Sequence, residues 1–129
     1  MATDLQELLV ADHNVVEVVP DGAALIEASH HHRPDAIVSD IAMPGINGFA
    51  AAAAIFAWQP DARIVFVTVQ DSRAVIRKAL DCGVRGYVLK SDAGDELIAA
   101  VRVAIEGGRY LSSRARVALR RTGSDEQKV

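Results

Sequence analysis

Four short runs of β-branched and apolar residues alternate with longer stretches of helical spacing, and few folds accommodate that pattern. The runs are residues 15–19 (VVEVV), 36–39 (AIVS), 64–68 (IVFVT) and 87–89 (YVL), three of them nearly continuous in apolar side chains. Such runs suit strands covered on both faces, because a half-solvated strand would alternate with polar residues. Between them, apolar residues recur at helical intervals: Ala24, Leu25 and Ala28; residues 49–58; Val75, Ile76, Ala79 and Leu80; and Leu97, Ile98, Val101, Ala104 and Ile105. Strand, helix, strand, helix implies an α/β fold with a parallel sheet flanked by helices. Arg33-Pro34-Asp35, Gln59-Pro60-Asp61 and Cys82-Gly83 fall just ahead of the second, third and fourth strands and read as helix stops.

The ends are less regular. Thr3-x-x-Gln6 has the form of a capping box, with Leu5, Leu8 and Leu9 on one helical face, so residues 4–11 read as a short helix. The rival reading makes Leu8-Leu9-Val10-Ala11 a strand that ends at Asp12. After Gly107-Gly108, residues 112–121 read as another short helix and 122–129 as a polar tail.

Composition narrows the function without naming it. The 129 residues suit one domain, and with aromatics at 5% the core falls to Ala, Val, Leu and Ile. No apolar run approaches the ~20 residues that span a bilayer, and the first residues lack the pattern of a signal peptide, so a cytoplasmic protein without membrane contact is expected. One cysteine, Cys82, excludes a disulfide framework and any multi-Cys zinc site. A net charge of −3 provides no global field toward nucleic acid.

In an open parallel sheet, ligands bind beyond the carboxyl ends of the strands, so the residues there are read as a set. They are Asp40, Thr68 and Lys90. Together they offer an oxygen nucleophile, a donor for a phosphoryl oxygen and a fixed positive charge, the parts of a phosphoryl site. Singly each has a plainer reading: a turn or cap aspartate, a threonine of β-propensity, a solvated lysine. Their coincidence on three successive strands carries the inference.

At these residues the chain resembles the receiver domains of two-component response regulators, particularly of the NarL/LuxR type. Residues 40–48 (DIAMPGING) look like the family's phosphoacceptor loop, with Asp40 as the acceptor. Val67-Thr68-Val69 matches its switch strand, and Gly86-Tyr87-Val88-Leu89-Lys90 its last strand, with Tyr87 as the aromatic switch. The intervals of 28 residues from Asp40 to Thr68 and 22 from Thr68 to Lys90 also match. Residues 106–112 (EGGRYLS) resemble that subgroup's passage toward an output domain. The resemblance implies a flavodoxin-like receiver sheet over residues 1–111, with 112–129 a short helix and tail. It further implies phosphoryl transfer from a histidine kinase to Asp40, with Mg²⁺ bridging carboxylate and phosphoryl oxygens.

The front departs from the family pattern. A receiver opens with a strand ending in an acidic pair, then a helix, then a second strand, whereas only 14 residues precede Val15. Residues 5–11 are therefore read as the remainder of the first helix, with the first strand absent; the alternative makes residues 8–13 that strand. The favoured reading rests on the crossover that a parallel neighbour requires. It leaves the sheet N-terminally incomplete and calls for a rearranged pairing or for strand exchange, so a homodimer or strand-exchanged oligomer is expected. The Mg²⁺ ligands are then Asp40, the Ala42 carbonyl and, as sole upstream acid, Asp12. Two unit charges 4 Å apart interact by about 4 kcal/mol at an effective dielectric near 20, so a missing carboxylate predicts weakened Mg²⁺ binding and phosphorylation.

Other features have bland readings. His30-His31-His32 point in different directions on a helix and suit a solvated C-terminus better than a metal, and His13 is not assigned as a ligand. Cys82 reads as a small core residue and Trp58 as cover for the core edge. Arg109, Arg114, Arg116, Arg120 and Arg121 form a basic cluster, but no helix-turn-helix follows, so a solvated linker helix without direct nucleic-acid binding is expected. The function read here is a non-enzymatic phosphoryl-accepting switch. The alternative is a phosphorylation-impaired or truncated interaction module. An aspartate-nucleophile phosphatase is rejected because its second acid, two residues after the nucleophile, is here Ala42.

Overall fold

The computed structural model describes residues 16–19, 35–41 and 48–120. They form a five-stranded sheet, β1 (Val16–Val19), β2 (Ala36–Ser39), β3 (Ile64–Thr68), β4 (Gly86–Leu89) and β5 (Tyr110–Leu111), in spatial order β1-β2-β3-β4-β5 and parallel throughout. Four helices accompany it: α1 (Gly48–Trp58), α2 (Arg73–Cys82), α3 (Lys90–Ile105) and α4 (Ser113–Arg120). The four strands read from the sequence are all present.

Alternation along the strands divides the core in two, since successive side chains leave opposite faces of a sheet. Ile37, Ile64, Phe66, Tyr87 and Leu89 pack with α1, α2 and α4. Ala36, Val38, Val65 and Val88 pack with α3 through Ala93, Leu97, Ala100, Val101 and Ala104. The alanines of α1 let it lie close to the sheet, with Ala51, Ala52 and Ile55 fully buried. Helix α2 is capped at its start by Ser72, whose side chain accepts the Val75 N–H, and at its end by Gly83, which adopts φ 106° and donates to the Leu80 carbonyl. Cys82-Gly83 thus ends a helix as its composition indicates.

Strand β1 pairs directly with β2, Val16 opposite Ala36 through Val19 opposite Ser39. Other features differ from the sequence reading. Strand β5 is unanticipated, because two residues are too few for a hydrophobic period to register. Lys90 is the first residue of α3 rather than the last of a strand. Trp58 is 40% exposed and so does not cover the core edge fully. The helix after Gly108 is not merely solvated: Ala115 is fully buried, and Ala118 and Leu119 pack against the core. The reading of residues 5–11, of His13 and of His30-His31-His32 lies outside the described residues. No described helix is long and apolar enough to cross a membrane.

Candidate functional site

The carboxyl ends of β2, β3 and β4 bring Asp40, Thr68 and Lys90 to one edge, as parallel strands in neighbouring register must. Asp40 directly follows β2, and Ser39 Oγ beside it donates to the Asp40 carbonyl at 2.9 Å. Gly48 stands against Ile41. Its N–H donates to the Ile41 carbonyl at 2.9 Å, and a Cβ on it would stand 2.8 Å from Ile41 Cα. Only glycine permits that approach.

Lys90 Nζ lies 2.9 Å from Asp40 Oδ2, with the two side chains 52% and 29% exposed. So open a pair contributes little to stability, but it places a cation against the carboxylate. Thr68 is fully buried, and its Oγ1 accepts the Gln70 N–H at 3.2 Å. The buried Tyr87 donates its hydroxyl to the Gln70 carbonyl at 2.6 Å. Burial first, then the charges of Asp40 and Asp71, push the Tyr87 phenol well above its ordinary range, so it remains a donor. Thr68 and Tyr87 therefore meet through one backbone residue, Gln70, which sequence reasoning missed because a main-chain role leaves no side-chain signature.

Of the Mg²⁺ ligands read from the sequence, the structure describes Asp40 alone; Ala42 and Asp12 lie outside the described residues. A partly exposed carboxylate suits one position in a hard-oxygen shell. Among the described residues no group of three or more His, Cys, Asp or Glu gathers to hold a metal.

A cavity of about 460 Å³ extends from Lys90 past Asp71 and Val69 to Arg114 and Val117 of α4. Helix α4 is held there by two acids of α3 that sequence reasoning also missed. Asp92 accepts the Arg114 N–H at 2.9 Å, and its Oδ1 lies 3.5 Å from Arg114 Nε. Glu96 accepts the Ser113 N–H at 3.0 and 3.1 Å and the Tyr110 hydroxyl at 2.7 Å, with Arg116 at 3.8 Å. Burial raises the Glu96 carboxyl, but the hydrogen bonds from Tyr110 and Ser113 and the nearby Arg116 outweigh it and hold the group below its ordinary value. The Tyr110 hydroxyl is raised, chiefly by its bond to Glu96. Carboxylates spaced i, i+4 at the start of α3 were the available signal, but their partners are 14 to 22 residues away.

The chain is similar to known proteins over most of its length. The sequence pattern of the response regulator receiver domain matches residues 1–102. The transcriptional regulatory protein DegU of Brevibacillus brevis is 33% identical over 100 residues, covering 78% of this chain and 42% of DegU. The oxygen regulatory protein NreC of Staphylococcus carnosus is 31% identical over 109 residues, covering 84% of this chain and 50% of NreC. The chain thus spans about half the length of these relatives. Among solved structures, a LuxR-family two-component response regulator from Aurantimonas sp. SI85-9A1 superposes with a TM-score of 0.73 at 28% identity, covering 84% of this chain and 75% of that one.

Proposed function

Because the chain belongs to the response regulator receiver domain family, we propose that its Asp40 accepts a phosphoryl group from a histidine kinase and thereby switches a protein-interaction surface. Phosphoryl acceptance is the function of this family, whose receiver domains are generally not enzymes. The observation that carries the assignment to Asp40 is the 2.9 Å contact from Lys90 Nζ to its carboxylate. An Asp40 oxygen attacks the phosphorus of the kinase's phosphohistidine, a P–O bond forms, the P–N bond breaks, and the imidazole leaves with its nitrogen free to take a proton. Lys90 would offset the charge gathering on the phosphoryl oxygens. A non-phosphorylated interaction module has no need of that pair, which favours the acceptor reading.

Receiver domains in general bind Mg²⁺ for phosphorylation. Asp40 would hold the ion here, with the Ala42 carbonyl and Asp12 as further ligands, and the bound ion would supply charge neutralisation between carboxylate and phosphoryl group. Turning Thr68 Oγ1 toward the new phosphoryl group would release the Gln70 N–H. Since the Gln70 carbonyl holds the Tyr87 hydroxyl, the two side chains would then move together.

The chain would act in the cytoplasm with a histidine kinase and a second copy of itself as partners. Direct nucleic-acid binding is not part of this reading, because Arg114 and Arg116 of the basic cluster face Asp92 and Glu96. The test is labelling by acetyl phosphate or a phosphorylated kinase in Mg²⁺. The chain is expected to take up one base-labile, hydroxylamine-labile phosphoryl group that Asp40→Ala abolishes; labelling that survives Asp40→Ala would overturn the assignment.

A further inference from the structure

We infer that Ser112 is a positioning residue for the phosphoryl site, setting Lys90 against Asp40 and tying the docking of α4 to that site. The inference rests on the assignment of Asp40 as acceptor. It starts from the ladder between β4 and β5. Tyr110 N–H donates to the Arg85 carbonyl at 2.9 Å, and Ser112 N–H to the Tyr87 carbonyl at 3.0 Å. A parallel ladder would next offer the Ser112 carbonyl to the Leu89 N–H. That carbonyl instead accepts the Arg116 N–H at 2.9 Å, as the first turn of α4 begins. The Ser112 hydroxyl takes over, accepting the Leu89 N–H at 3.1 Å in a buried bond between residues 23 apart.

Ser112 has no exposed surface, so water has no route to replace that acceptor. Leu89 is the N-cap of α3 and has no side-chain group to cap the helix, so its backbone sets where α3 starts. The next residue is Lys90, whose ammonium reaches Asp40. Ser112 also grips the Tyr87 carbonyl, so one side chain and its own amide fasten the strand on both sides of Val88. The same residue opens α4, whose first amides are held by Glu96 and Asp92. A shift at the end of β4 must therefore move Ser112 and the start of α4, and the reverse holds equally.

The test measures the rate of labelling by acetyl phosphate in Mg²⁺ for the chain, Ser112→Ala, Lys90→Ala and the double variant. Ser112→Cys, nearly isosteric with a weak acceptor, is the second variant should alanine prevent folding. Loss of the hydroxyl is expected to slow labelling about tenfold when Lys90 is present and less than twofold when it is absent, because a residue acting through Lys90 has nothing to act on without it. A merely structural Ser112 would lower both backgrounds by the same factor, and that result, or no change in either, overturns the inference while leaving Asp40 as acceptor. A chain with Asp40 intact that takes no label overturns both.

Discussion

At the residue scale, the site is built from backbone commitments as much as from side-chain identities. Gly48 shows the first kind: its missing Cβ lets the start of α1 sit against Ile41, next to Asp40. Gly48→Ala drives a methyl into backbone rather than into a flexible side chain, so a loss of about 1–3 kcal/mol is expected in urea unfolding, together with slower labelling. Tyr87 shows the second. Tyr87→Phe keeps the buried ring and removes the bond to the Gln70 carbonyl, which costs about 1 kcal/mol and frees the loop after β3. Hydrogen exchange at residues 69–72 should rise while the melting transition stays cooperative. Asp40, Thr68, Tyr87 and Lys90 stood out in the sequence because each lies in or directly after an apolar strand run. Gln70 did not, since any residue can lend its main chain.

At the element scale, α4 is docked by chemistry that depends on pH. The Glu96 carboxyl is held below its ordinary value of 4.5, so its contribution is complete above that pH and is lost as pH falls through the lowered value. Tyr110 is raised above its ordinary value of 10.0, so its contribution is complete below that pH and is lost as pH rises through the raised value. Docking of α4 is therefore expected to be firmest between these limits, read as protection of the Ser113 and Arg114 amides. Glu96→Gln should flatten the acid limb of that profile. Ala115→Arg puts a long cation into a position with no exposed surface and should undock the helix outright, seen as loss of protection across residues 113–120 with the sheet intact. The basic cluster suggested a solvated helix because a pattern of arginines reads as a polar face. The acids that engage it stand on a different helix, brought across only when β5 turns the chain beside β4.

At the scale of the whole molecule, the two halves of the core share one sheet and are expected to be lost together. Ile55 lies on the α1, α2 and α4 face and Leu97 on the α3 face. Ile55→Ala and Leu97→Ala are each expected to cost about 2–5 kcal/mol, toward the lower end at the less completely buried Leu97. In both variants Trp58 fluorescence and far-ultraviolet circular dichroism should report one coincident urea transition. Two separated transitions would show that the faces unfold independently.

The order of the four longer strands, the parallel character of the sheet and the arrival of Asp40, Thr68 and Lys90 at one sheet edge were legible in the sequence, because hydrophobic period and strand-end position are local properties. Three things required the tertiary structure: the direct pairing of β1 with β2, the addition of β5, and the capping of α4 by Asp92 and Glu96. Strand partners and long-range hydrogen bonds depend on which distant groups arrive at the same place, and no interval along the chain encodes that meeting. Ser112 shows the difference most plainly. In sequence it is one serine ahead of a helix, while in space it is the acceptor that the last step of the β4 ladder needs.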